Sequence, residues 1–184
     1  MTTLLRTTGI LIMLVTLPAF YFAQTDPKNV PQPPKAELNR FEPFLGKYAV
    51  TSEYAGLKFT GTIEIKSAVK GWYIEWTNLV KTEGIDRELR MLMTWDKNAN
   101  KYRIWRFETV DPSAQNEGEV RFEGSELIME WKGTKPDGSP AIFRNRCAMK
   151  SKDELEMITE SNRRPGNANV VRIGVTTGKR FTLN

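Results

Sequence analysis

Histidine is absent from this 184-residue chain, and cysteine occurs once, at Cys147. The first absence removes Ser-His and Cys-His nucleophilic sites, imidazole-ligated zinc and histidine-ligated haem. The second leaves no internal disulfide, so the folded state must be held by packing, and Cys147 reads as buried strand filler. No N-x-Ser/Thr sequon is present. Blocks of one charge are missing too: 27 Lys and Arg are interspersed with 22 Asp and Glu, for a net charge of +5. Interspersed charge is the pattern of a solvated outer face, so no nucleic-acid partner is expected. The chemistry left to such a chain is that of carboxylates, Arg, Lys and Tyr.

Long apolar runs are also scarce, and the one present is at the N-terminus. Arg6 supplies a positive start, residues 9–22 are almost wholly apolar, and Ala23 precedes a polar Gln24. The run is shorter than the ~20 residues a spanning helix needs, and no second run follows. Residues 1–23 are therefore expected to be a Sec-type signal peptide, with no transmembrane span and a secreted or periplasmic mature chain. An uncleaved anchor is the alternative. Pro27, Pro31, Pro33 and Pro34 make residues 24–35 an extended tether, leaving residues 36–184 as one domain.

Within that domain, Lys35 to Glu42 is the helical candidate. Leu38, Phe41 and Leu45 recur at three to four residues, and Pro43 ends the pattern. Everything after it alternates with period two. Leu89, Met91, Met93 and Trp95 lead into a polar turn at Asp96 to Lys101, and Tyr102, Ile104, Trp105 and Phe107 run back. The same pattern proposes inward sets of Tyr48, Val50 and Tyr54; Leu57, Phe59, Ile63 and Ile65; Trp72, Ile74 and Trp76; Val120 and Phe122; Leu127, Met129 and Trp131; Phe143, Asn145 and Cys147; Leu155 and Met157; and Val171, Ile173 and Val175. The strand after the Asp96 turn has two registers. If Asp96 pairs with Lys101, Tyr102, Ile104 and Arg106 face inward; a one-residue bulge would instead turn in Arg103, Trp105 and Phe107. Asp96, Asn98 and Asn100 also mimic the start of a calcium loop. Lys101 replaces its turn glycine and Phe107 its bidentate Glu, so the segment reads as a hairpin turn.

About ten short strands joined by short turns, with no long crossover, predict an all-β, antiparallel up-and-down barrel with one short N-terminal helix, in preference to a two-sheet sandwich. A barrel of that size has room beyond what its own side chains fill.

Several segments strengthen this reading: Leu38 to Tyr48 ending Phe-Leu-Gly-Lys-Tyr, Lys70-Gly71-Trp72, Met93-Thr94-Trp95-Asp96, Lys101 to Phe107, and Glu130-Trp131-Lys132-Gly133-Thr134 with Asp137-Gly138. Together they resemble a bacterial family of exported, calycin-like barrels that is a domain of unknown function. The resemblance covers most of Glu37 to Arg180, and its motifs mark strand starts and turns. By fold analogy the chain is also similar to lipocalins, fatty-acid-binding proteins and nitrobindins, whose barrels hold small apolar or amphipathic ligands. It departs from nitrobindins in lacking the histidine that ligates iron.

The functional expectation is a non-catalytic, monomeric barrel that binds a small hydrophobic or amphipathic ligand without a cofactor. Candidate lining residues are Trp76, Met91, Met93, Trp95, Tyr102, Arg106, Trp131 and Asn145. Each aromatic or Met among them also has an ordinary packing role. An inward Arg106 would need a carboxylate partner or an anionic ligand. Glu75, Glu130, Arg144 and Arg146 fall out of phase and read as solvent-facing cross-strand pairs. Two alternatives are carried: an envelope-associated interaction module with a filled barrel, and a metal-free isomerase-type enzyme using interior Arg, Tyr and carboxylate.

Overall fold

The structure is a computed structural model that describes residues 32–54, 56–82, 85–109, 116–134, 138–162 and 170–182. The proposed signal peptide, tether residues 24–31, the Pro165 to Asn169 turn and positions 136 and 137 lie outside the described residues. Alternating apolar residues with short turns give ten antiparallel strands: β1 (Gly46–Tyr54), β2 (Leu57–Ala68), β3 (Tyr73–Thr82), β4 (Ile85–Asp96), β5 (Lys101–Glu108), β6 (Asn116–Glu123), β7 (Glu126–Thr134), β8 (Pro140–Ser151), β9 (Glu154–Asn162) and β10 (Val170–Arg180). Each pairs with its sequence neighbours, and β10 returns to β1 to close the barrel. Closure leaves no unpaired sheet edge among the described residues.

The hairpin turn after β4 fixes the register that the sequence left open. Asp96 pairs with Lys101, Met93 with Ile104 and Met91 with Arg106. Asp96 Oδ1 accepts hydrogen bonds from the Asn98 and Ala99 amides, both at 3.0 Å, as an Asx turn does. Arg106 therefore faces inward, while Trp105 and Phe107 lie outside, with Phe107 39% exposed.

Two corrections concern the ends of the barrel. The expected single helix is a short α1 (Lys35–Leu38) followed by a 3-10 segment, Asn39–Phe44, that contains Pro43. A 3-10 turn repeats every three residues, so the buried series is Leu38, Phe41 and Phe44 rather than one ending at Leu45. These three side chains plug one end of the barrel. Phe41 meets Tyr102 and Phe122 edge-on, with ring centroids 5.6 and 5.0 Å away. Tyr102 Oη donates to Glu37 O at 2.8 Å, and Tyr48 Oη donates to Phe44 O at 2.9 Å, tying α1 and the 3-10 segment to the wall. At the opposite end, Tyr54 and Leu57 keep the inward phase but are exposed, because they lie at the rim where little packs above them.

The third correction is in β10. Val171 shares a face with Ser161, but the register shifts between Arg172 and Gly174, so that Gly174, Thr176 and Gly178 follow it inward. Val175 pairs with Glu53 and Ile158 on the outer face. One bulged residue inverts the phase of everything after it, which the expectation of Val171, Ile173 and Val175 did not allow for.

The core follows the remaining inward sets. Tyr48, Ile63, Ile65, Trp76, Met91, Met93, Ile104, Leu127, Met129, Cys147 and Leu155 are all buried and form one cluster. The outer face carries the cross-strand ion pairs that the alternation implied. Arg144 reaches Glu130 through Nε at 2.9 Å and Nη2 at 2.8 Å, Arg90 reaches Glu75 at 3.3 Å, and Arg146 pairs with Glu126.

Candidate functional site

Strand register divides the lumen into two halves of different chemistry. Toward the plug, inward residues are almost all apolar. Trp95 and Tyr102 face each other across β4 and β5 with ring centroids 4.7 Å apart, and Tyr102 also packs on Phe122. Met93 sits one step along, paired with Ile74 and Ile104. These three candidate residues are part of the packing against the plug.

Toward the other end, β3, β4 and β5 build a patch two rows deep on the inner wall. In one row Trp76 pairs with Met91 and Met91 with Arg106; in the next, Asn78 pairs with Leu89 and Leu89 with Glu108. Arg87 lies one inward position beyond Leu89, at the rim. Glu108 binds both Arg87 and Arg106, and it and Arg106 are mostly shielded, with side-chain exposures of 9% and 12%. From β7, Trp131 lies under the Arg106 guanidinium, whose carbon is 5.0 Å from the ring centroid. Phe143 on β8 stacks on Trp131 at 6.0 Å with 16° between planes. Arg106 is therefore held by an ion pair on its edge and an aromatic ring on its face.

The electrostatics of this patch are unbalanced. Burial, then repulsion from Arg87, pulls the Arg106 guanidinium down to about 10, and burial lowers Arg87 as well. Both remain cations at neutral pH. One carboxylate serves two guanidiniums: Arg106 is shielded inside, whereas Arg87, 43% exposed at the rim, keeps much of its contact with solvent.

Among the described residues nine buried side-chain polar atoms lack a hydrogen-bond partner; four belong to Arg103, Arg146, Glu160 and Arg180, and the other five face the lumen. Trp76 Nε1, Asn78 Oδ1, Arg106 Nε, Asn145 Oδ1 and Ser161 Oγ are buried without a hydrogen-bond partner, and all five residues point inward by register. Native interiors pair almost all such atoms, so a cluster of them is an argument for a polar guest or water. Asn145 faces this region from β8, between Met129 and Thr159.

Of the eight candidates, the geometry brings Trp76, Met91 and Arg106 into one row, with Trp131 against Arg106. It places Trp95, Tyr102 and Met93 at the plugged end and Asn145 on the facing wall. Sequence reasoning missed Asn78, Arg87, Glu108 and Ser161. The first three continue the phase of Trp76, Leu89 and Arg106 by one step, so extending each alternation past its last apolar residue would have found them. Ser161 needs the β8–β9 register.

Two concavities are formed by described residues outside this patch. A groove of about 620 Å³ opens on the β1–β10 seam beside the bulge, lined by Thr51, Glu53, Lys58, Arg172, Val175 and Thr177 among others. A smaller one of about 170 Å³ lies beside the plug, against Arg40, Pro43, Phe44, Phe122 and Met149. Neither is an apolar chamber in the middle of the barrel.

Cys147 is fully buried on β8, and burial raises its thiol far above the ordinary range. It is thus inert as a nucleophile in the folded protein. A thiol-specific reagent at neutral pH should label it only on the timescale of global unfolding. Rapid labelling under native conditions, read by intact mass, would contradict this burial.

No protein-family model matches the chain. No curated protein matches it either. Among solved structures, the crystal structure of Rv2717c from M. tuberculosis is similar over 79% of this chain and 97% of that one, with 12% identity and a TM-score of 0.51. The S-type phycobiliprotein lyase CPES from Guillardia theta is similar over 84% of this chain and all of its own length (100%), with 14% identity and a TM-score of 0.50. At such identities the likeness is one of fold: this chain is a closed, antiparallel, ten-stranded barrel of the same general design as these two proteins.

Proposed function

We propose that this protein is an exported, calycin-like barrel of the unknown-function family its motifs resemble, and that it binds a small amphipathic molecule in the half of the lumen away from the plug. It acts as a monomeric binding protein without catalysis, and its mature chain begins near Gln24. The observation that carries the reading is the set of buried, unpartnered polar atoms at Trp76, Asn78, Arg106, Asn145 and Ser161, which face a common interior. An amphipathic guest satisfies them while its apolar part meets Leu89 and Phe143.

Native mass spectrometry of the protein purified after export tests this directly, because a retained guest adds a discrete mass. Titration with 1-decanol, followed by Trp emission, tests it in solution: Trp76 and Trp131 border the region and should report saturable binding. A bare mature mass together with no saturation would favour the filled-barrel interaction module instead. That second reading draws on the density of the lumen itself, where Trp76 and Met93 are 0% exposed and Met91 is 1%. An isomerase-type enzyme stands third; that a lyase shares the fold keeps it in view.

A further inference from the structure

The described residues include five methionines, and one of them differs from the rest. Met91, Met93, Met129 and Met157 are buried in the core. Met149, on β8 at the plugged end, is only half-buried and lines the crevice of about 170 Å³ beside Pro43, Phe44 and Phe122. That volume admits a molecule the size of water or hydrogen peroxide. Cys147, two residues back on the same strand, is sealed in the core. Among the described residues, Met149 is thus the sulfur that a small oxidant can meet without opening the barrel.

The Met149 sulfur faces the joint that holds the plug. Tyr48 Oη accepts from Arg180 Nη2 at 2.8 Å, donates to Phe44 O at 2.9 Å and lies 3.9 Å from Met149 Sδ. The same Arg180 nitrogen donates to Pro43 O at 2.9 Å, so two successive plug carbonyls hang on this pair of side chains. A hydroxyl has one proton to give, and a thioether is a weak acceptor, so the Phe44 carbonyl keeps it.

We propose that Met149 is a site of reversible oxidation and that its sulfoxide loosens the plug. Hydrogen peroxide transfers one oxygen to Sδ: the S–O bond forms, the O–O bond breaks, sulfur gives up two electrons, and the peroxide, gaining them, leaves as water. The product is a polar group set against Phe44, Phe122 and Leu155, where burial without a hydrogen bond is unfavourable. The donor it faces is the Tyr48 O–H. Taking that proton deprives Phe44 O of its bond to the wall and frees the 3-10 segment, while enzymatic reduction of the sulfoxide restores the joint. This inference is independent of what the lumen binds.

The folded protein, treated with hydrogen peroxide and mapped by peptide mass spectrometry, should gain oxygen at Met149 roughly 10-fold or more faster than at Met91, Met93 or Met129, which need the core to open first. Amide exchange read by NMR should then quicken at Leu38 and Leu45, whose N–H groups close the plug turns on Pro34 O and Glu42 O. The expected factor is about 3- to 10-fold, that of one lost hydrogen bond. Amides of β3 should not change. Met149→Leu conserves volume and should abolish the response of the plug to peroxide. Tyr48→Phe should leave Met149 oxidation in place and remove the response, because no hydroxyl proton remains to be diverted; if that variant does not fold, the wild type and Met149→Leu carry the comparison. Oxidation of Met149 no faster than that of the buried methionines would overturn the site. Oxidation at Met149 with unchanged plug exchange, or an equal response in Met149→Leu, would overturn the loosening.

Discussion

Phe41→Ala will lower the free energy of unfolding by about 3–5 kcal/mol, the usual range for deleting a fully buried aromatic side chain. Phe41 is 0% exposed and touches Tyr102 and Phe122 at the floor of the plug. Its removal opens a void between the 3-10 segment and the wall, and the wall is a closed ring that cannot collapse to fill it. Urea denaturation followed by Trp emission measures the loss. A cost below about 1 kcal/mol would mean that the plug is a loosely applied cover and not a part of the core.

The second large effect comes from the wall itself. Gly61 on β2 faces inward opposite Val80, and a Cβ built on it would stand 2.1 Å from Leu79 O and 3.1 Å from Val80 Cα. Those are backbone atoms of the neighbouring strand, so no rotamer change relieves the contact. Gly61→Ala must therefore push β3 away from β2, weakening the ladder bonds between them. Overpacking of this kind costs about 3 kcal/mol at the upper end of its usual range. A melt shifted by only a degree or two would show that the strands have more room than the described geometry allows. Gly118, whose Cβ would meet Glu130 O at 2.2 Å, should behave alike.

These two positions also show what the sequence did and did not disclose. The barrel was legible because alternation is strictly local: Trp76, Met91, Met93 and Met129 each declare a face through their immediate neighbours. Asp96 to Lys101 was enough to predict a β4–β5 hairpin but left two registers open, and the structure selects the one that pairs Asp96 with Lys101. The plug was read less well, since Phe44 lies at a spacing that only a 3-10 turn makes coherent. The β10 face was misread because a bulge has no composition of its own, and nothing in Val171 to Val175 announces the shifted register. The candidate site was half legible. Arg106 stood out as a charge at an inward position, whereas Arg87 and Glu108 sit where strands run into turns and charged residues are ordinary. That the three share one ion-pair system depends on two strands lying side by side, a fact of pairing rather than of pattern.

Nine of the ten strand pairings join neighbours in sequence, and the tenth joins β1 to β10, where Arg180 donates to Tyr48 Oη across 132 residues. Arg180 also reaches Pro43 O at 2.9 Å, and the Phe181 amide donates to Lys47 O at 2.9 Å. The first and last strands therefore meet beside the plug, with the two ends of the barrel chain in contact. Such a molecule is suited to circular permutation. A linker from Phe181 to Lys35, which keeps the plug, with new termini opened in the exposed turn at Lys97 and Asn98, would replace the long-range closure by a local connection and hand that role to β4 and β5. Comparing the refolding rates of the two connectivities would isolate the entropic cost of closing the ring, because every native contact outside the cut is retained.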